Sequence, residues 1–286
     1  MNNKELNYFV TLIRAKNFTR ASEQLFVTQP TISKALKSLE SSVGEPLIHR
    51  NNRDIRLTEA GSIVYRYGEE ILQQFNDMQV KLHDLQQLES GTLSIGIPPM
   101  VGHLYADTLH QFQVKYPKVE VSIVEFGSRK IESAIHVGEI DLGITMLPLN
   151  QEQLKTKVIV THPVYVVLAK NSGYSIDQTI DIVDLQQHTF YLYREEFALT
   201  AIIEQLCQDN GFQPRVGVRS TQWDFLAAMV KSGLGVTFLP APICARLNSD
   251  HYDFIELKQE IKWELGICWS SQRYLSHAAK AFLALF

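Results

Sequence analysis

Apolar residues open the chain at helical spacing, then change to strand alternation about a third of the way along. Leu6, Phe9, Val10 and Ile13 line one face of a first helix. Phe18 to Leu25 predicts a short second helix with Thr19 at its N-cap. Thr28 predicts the cap of a third, which opens on Gln29-Pro30, where the missing proline N–H has no intrahelical partner to lose. In that helix Ile32, Leu36, Leu39 and Val43 form one buried stripe. Pro46 to Leu57 reads as a strand, a turn and a second strand. From Thr58 to Leu88 there is no proline, and Val64, Tyr67, Ile71, Phe75, Met78, Leu82 and Leu85 recur at spacings of three or four. That predicts one helix on the order of 40 Å long, ended at Ser90-Gly91 by a glycine cap.

Beyond Gly91 strands and helices alternate. Strands are predicted at Thr92 to Ile97, Val119 to Glu125 and Asp141 to Met146, with helices at Ala106 to Tyr116 and Ile131 to Val137 between them. A second set follows: strands at Val164 to Ala169, Val216 to Val218 and Val236 to Leu239, and helices near Thr200 to Asn210 and Trp223 to Ser232. A closing strand, Trp263 to Trp269, and a helix, His277 to Leu285, complete it. This order predicts parallel sheets with right-handed crossovers. Two such lobes put strand ends around a cleft, where small molecules bind.

The face of the third helix opposite its apolar stripe carries Gln29, Thr31, Ser33, Lys34, Lys37 and Ser38. These side chains hydrogen-bond base edges and phosphates. With Arg50, Arg53 and Arg56 on the hairpin behind it, the segment has the parts of a winged helix-turn-helix reading double-stranded DNA. Charge agrees with this once it is divided along the chain. The net charge is −4, yet residues 1–57 hold nine Lys/Arg against five Asp/Glu, a net of +4 that leaves −8 for the rest. A reader of modest charge grips DNA weakly as one copy, which favours an oligomer. The stripe on the long helix is coiled-coil-like and predicts a homodimer through that helix.

No catalytic constellation stands out. The nine histidines form no HxxxH pair, no GxSxG or GxxxxGK[ST] occurs, and the three cysteines are far apart. The sequence therefore predicts no enzyme, no metal and no cofactor, and reduced core thiols rather than a disulfide framework. No secretory signal opens the chain and its apolar runs are too short for a bilayer, so a cytoplasmic protein without membrane contact is expected.

The order AxxLxxTQPTISKxLKxLE, Gly44, PLIxRxxR and LTEAG at Leu57 to Gly61 resembles the LysR-type transcriptional regulators, and the likeness runs the whole length of the chain. GITMLPLN at 143–150, TQWDFL at 221–226, SGLGVTFLP at 232–240 and WELGICW at 263–269 resemble the Cid-type branch, associated with weak-acid signals. The resemblance implies an α/β protein with a winged helix-turn-helix at 1–57, a linker dimerisation helix at 58–90, and a two-lobed effector domain at 91–286, similar to periplasmic binding proteins. Lobe I would comprise about 91–161 and 270–286, lobe II about 162–269. It further implies a homotetramer, with RNA polymerase as a further partner.

By that resemblance Gln29, Pro30, Thr31, Ser33, Lys34 and Lys37 form the DNA-reading face, with Arg50 and Arg53 on the wing. Strand ends supply the effector candidates: Pro99, Met100, Val101 and His103 after the first strand, Gly127, Ser128 and Arg129 after the second, and Thr145 on the third. Arg194, Thr221 and Gln222 hold the matching places in the second lobe. Free N–H groups at helix starts and the cations His103, Arg129 and Arg194 favour a small carboxylate. Pro98-Pro99-Met100 stands where many relatives have Ser or Thr, which removes a hydroxyl and a backbone donor. Two other readings stay open: a DNA-organising protein without effector, and a binding-protein-like enzyme.

Overall fold

Asn2 starts the first helix with a reciprocal cap. Its side chain accepts from the Glu5 N–H at 2.9 Å, and the Glu5 carboxylate accepts from the Asn2 N–H at 3.0 Å. The helix α1 (Asn3–Ala15) buries Leu6, Phe9, Val10 and Leu12, while Ile13 is half-buried. The computed structural model describes residues 1–49, 55–86, 90–170, 172–174, 179–233 and 235–286. They fall into two compact units, Met1–Leu85 and Gln86–Phe286.

In the first unit α2 (Phe18–Gln24) and α3 (Gln29–Val43) follow α1. Asn17 rather than Thr19 caps α2, accepting from Thr19 N and Arg20 N at 2.8 and 3.2 Å. An asparagine one residue ahead of an aromatic start satisfies two orphan donors, which Thr19, already inside the helix, cannot do. Thr28 is the N-cap of α3, but its hydroxyl pairs with the Thr31 hydroxyl at 2.9 Å instead of a backbone N–H. Ile32, Leu36 and Leu39 are buried as the periodicity predicts. Val43, in the last turn, is 38% exposed, because Gly44 ends the helix there in the left-handed conformation and the stripe has nothing left to cover.

The hairpin survives at its base: Ile48 bridges Leu57, and His49 N donates to Arg56 O at 2.9 Å. Its tip, with Arg50 and Arg53, lies outside the described residues. The long helix α4 (Glu59–Gln86) follows, 28 residues or about 42 Å. Its first turns pack Ala60, Val64 and Tyr65 onto the core of the first unit. Ile63, Tyr67, Ile71, Phe75, Met78 and Leu82 are between 42% and 52% exposed. Among the described residues the linker stripe from Tyr67 to Leu82 is therefore about half exposed.

The second unit contains β1 (Ser90–Ile97), α5 (Ala106–Lys115), β2 (Lys118–Glu125), α6 (Ser128–Val137), β3 (Leu142–Met146) and β4 (Leu154–Ala169). Then come β5 (Thr189–Tyr193), α7 (Ala198–Asp209), β6 (Arg215–Ser220), α8 (Trp223–Lys231), β7 (Gly235–Pro240), α9 (Ala241–Cys244), β8 (Tyr252–Glu256), β9 (Lys262–Ser270) and α10 (His277–Leu283). Ser90-Gly91 opens β1 instead of capping α4: both residues are already in register with Lys118 and Val119 of β2. The strand order is β2-β1-β3-β9-β4-β7-β5-β6, with β8 beside β4. Thus β1, β2 and β3 form one parallel set, and β5, β6 and β7 another. The long antiparallel strands β4 and β9 join them.

Candidate nucleic-acid interface and effector cleft

On α3, Gln29, Pro30, Lys34 and Lys37 are exposed, and Thr31 and Ser33 are half-buried. All six lie off the apolar stripe, as amphipathic spacing requires. Gln29 Nε2 donates to Thr19 Oγ1 at 2.9 Å, which ties the start of α3 to α2. Ser38 is turned away from this face, because its hydroxyl donates to Glu5 Oε1 at 2.7 Å. That bond is the main reason the Glu5 carboxyl sits below its ordinary pKa. Glu40, which sequence pattern alone does not single out, is 7% exposed and accepts from Leu47 N at 2.9 Å. It fixes the base of the hairpin relative to α3, so the face and the wing are built as one piece.

In the second unit the strand ends meet as the alternation predicts, but the wall they form is apolar. Pro98, Met100, Ser128, Met146, Tyr193 and Phe197 surround a cavity of about 10 Å³, with Trp263 and Leu265 of β9 behind them. Its size is that of about one water. Met100 and Ser128 are the predicted residues that line it. Gly127 is pressed against the segment after β5: a Cβ there would lie 2.8 Å from Glu196 O. Arg129 N donates to that same carbonyl at 3.4 Å. The start of α6, where an anion was expected, thus faces the protein's own carbonyl oxygen.

The predicted cations do not converge. Arg129 and Arg194 are exposed, as is Gln222; Thr221 and Pro99 are half-buried, and Val101 is wholly inside the core. His103 is pushed below its ordinary pKa by burial and by Arg246, and its Nε2 is buried without a hydrogen-bond partner among the described residues. Hydroxyls supply the polarity instead. On the cavity wall these are Ser128 and Tyr193, and the Tyr193 Oη, 2% exposed at the end of β5, has no hydrogen-bond partner among the described residues. Thr145 Oγ1 on β3, 0% exposed, has none either, but Thr145 does not line the cavity. Burial, with Cys244 and Asp224 nearby, holds the Tyr193 phenol well above its usual pKa, which keeps it a neutral donor.

A separate groove of about 970 Å³ has an apolar floor of Leu147, Leu149, Leu154, Ile202, Leu206 and Ile261. Successive residues of β9 divide the two: Trp263 and Leu265 face the cavity, Lys262 and Glu264 the groove.

Comparison with known proteins decides the class. Residues 3–62 match the bacterial regulatory helix-turn-helix family of LysR type, and residues 86–286 match the LysR substrate binding domain. The chain belongs to the LysR family of transcriptional regulators. It is 35% identical over 99% of its length to YwbI of Bacillus subtilis, an uncharacterized HTH-type transcriptional regulator, covering 95% of that protein. It is 25% identical to the B. subtilis HTH-type regulator BsdA, with all of both chains covered. Among solved structures, full-length OxyR of Pseudomonas aeruginosa has a TM-score of 0.68 at 23% identity, covering 100% of this chain and 94% of that one. CbnR, a LysR family transcriptional regulator, has 0.63 at 19%, covering 100% and 98%. The protein is a DNA-binding transcriptional regulator of mixed α/β fold, not an enzyme.

This LysR-family chain keeps its thiols out of reach. Cys207, Cys244 and Cys268 are buried and free, and burial pushes each thiol up to about 12. A thiol held there carries almost no thiolate at neutral pH. The native protein is expected to leave all three unlabelled by an aromatic disulfide reagent over minutes, and the unfolded protein to react at all three. Fast labelling of the native protein would show that a cysteine is open to solvent.

Proposed function

We propose that this regulator reads its operator with Gln29, Pro30, Thr31, Ser33, Lys34 and Lys37 of α3 and with Arg50 and Arg53 of the wing. In the cytoplasm, it responds to a small carboxylate held between two lobes of its second unit, about 91–161 with 270–286 and about 162–269. The α4 stripe pairs two copies, two pairs make a tetramer, and RNA polymerase is the partner that receives the signal. The observation that carries the effector reading is the buried Tyr193 hydroxyl on the cavity wall, which has no hydrogen-bond partner among the described residues, since buried polar groups are almost always satisfied. A weak acid with an apolar body suits walls of Met100, Met146, Phe197 and Trp263, with the hydroxyls of Ser128 and Tyr193 receiving its carboxylate. Arg129 and Arg194 wait at the rim. The carboxylate competes with the Glu196 carbonyl for the Arg129 N–H, so uptake is coupled to movement between the lobes.

A second reading puts the effector in the groove between α7 and β9, because its volume, about 970 Å³, lies in the range of drug-sized ligand sites. For the reader, duplexes selected by the protein from a random pool provide an operator. Gln29→Ala is expected to weaken binding to it by roughly fivefold or more, the value of one bidentate base contact. Unchanged affinity would remove α3 from the interface.

A further inference from the structure

Phe26 is out of place by every local rule. It ends α2 with φ +52, and among the described residues only Lys16 shares a left-handed conformation without being glycine. Its N–H donates to Glu23 O at 3.2 Å and the next N–H, of Val27, donates to Ser22 O at 3.0 Å. This double closure of a helix normally falls to glycine or asparagine, as at Gly138 at the end of α6. A bulky aromatic residue is strained there. Its ring gains nothing from the core in return, since Phe26 is 95% exposed while its neighbours Leu25 and Val27 pack inward. Strain combined with a fully exposed apolar ring points to a contact outside the folded chain.

The position says which contact. Phe26 stands in the turn between α2 and α3, three residues before Gln29, and Leu25 and Val27 fix the backbone on both sides of it. A recognition helix enters the major groove by its N-terminal residues, so this turn arrives beside the groove edge. Apolar surface is available there on deoxyribose and on the thymine methyl. We infer that Phe26 is a DNA-contacting residue whose ring packs on the apolar C–H surface of the operator next to the Gln29 end of α3. The inference rests on α3 being the recognition helix. Such a contact adds affinity without neutralising a phosphate, and asparagine at this position would relieve the backbone while removing the ring.

The two effects have opposite signs, and this makes the test sharp. Full-length Phe26→Asn is expected to unfold at a higher temperature than the parent. It should also bind the selected operator roughly fivefold more weakly or worse. The slope of log affinity against log salt should stay the same, because the phosphate contacts are intact. Operators with uracil for thymine distinguish the two surfaces. A loss seen with the parent but not with Phe26→Asn assigns the methyl group, and equal behaviour assigns the sugar. Parent-like affinity in Phe26→Asn would overturn the inference, as would a shallower salt slope, which would mean that α3 itself had shifted. A lower oligomeric mass of the variant without DNA would also overturn it, by making the ring a protein contact. Gln29→Ala is measured alongside: if it too binds like the parent, the recognition-helix reading fails, whereas its loss with parent-like Phe26→Asn removes Phe26 alone.

Discussion

Gly61→Ala is expected to unfold the DNA-binding unit at temperatures where the effector unit is still intact. A Cβ at this position would lie 1.9 Å from the Leu47 carbonyl oxygen and 2.9 Å from its carbon. Both are backbone atoms and cannot rotate aside. The Leu47 peptide is also pinned from two directions: its N–H donates to Glu40 Oε1 at 2.9 Å, and its oxygen accepts from Thr58 N at 3.0 Å. Making room for one methyl therefore means separating α4 from the hairpin or breaking both bonds. A loss of about 3 kcal/mol or more is expected, which lowers the melting temperature of so small a unit by on the order of 15 °C. Gly44→Ala is the contrast. Its φ is +87 with nothing within 4 Å of a Cβ, so only the left-handed backbone penalty of about 1 to 2 kcal/mol applies. Thermal unfolding followed by circular dichroism, with operator binding at each temperature, measures both. Equal melting temperatures for the two variants would show that the α4 contact yields easily.

Ile71→Asp combined with Met78→Asp is expected to turn the protein into a monomer. The two side chains are 49% and 47% exposed in the isolated chain, on the same stripe as Tyr67, Phe75 and Leu82. Ile63 to Leu82 spans roughly 30 Å along α4, an apolar band that single copies of soluble proteins rarely leave open. Two carboxylates per helix placed inside a paired seam would be buried without partners. Sedimentation velocity should give the mass of one chain for the double variant and a multiple of it for the parent. Operator affinity should fall about 100-fold or more, because a lone reader loses the effective concentration that linkage supplies. A double variant that keeps the parent's mass would place the pairing surface elsewhere.

The parts of the fold that were legible in the sequence are those with one wet and one dry face. Ile32, Leu36 and Leu39 on α3, and the alternation of Leu93, Ile95 and Ile97 on β1, report their burial directly. For strand β5, Thr189–Tyr193, only the end before Arg194 was legible, because Phe190, Tyr191, Leu192 and Tyr193 are all buried and leave no alternation that sets its bounds. The first half of β4 escaped for the opposite reason: Lys155 to Lys157 are exposed on both faces and are held only by pairing with β9. The reading face of α3 was legible because it lies on one helix. The cavity was not, because Phe197 and Leu199 at the start of α7 meet Trp263 and Leu265 only through the return of β9 between the two sheets. The strand Trp263 to Trp269 was legible, yet nothing in the sequence says what Trp263 and Leu265 face. Arg129 and Arg194 were drawn to the cleft by their positions after strands, where their long side chains stay with solvent.

The most direct test is thermal unfolding of the full-length protein against a panel of small carboxylates, neutral analogues, sugars and amino acids, with Ser128→Ala and Tyr193→Phe beside the parent. A true effector at 100 times its dissociation constant adds about 2.7 kcal/mol of stability to the unit that binds it. The expected result is a shift from a carboxylate with an apolar body, absent with its neutral analogue and lost in both variants. A shift that survives both substitutions and disappears in Ile202→Glu would contradict a sensor between the strand ends and put it in the groove beside α7.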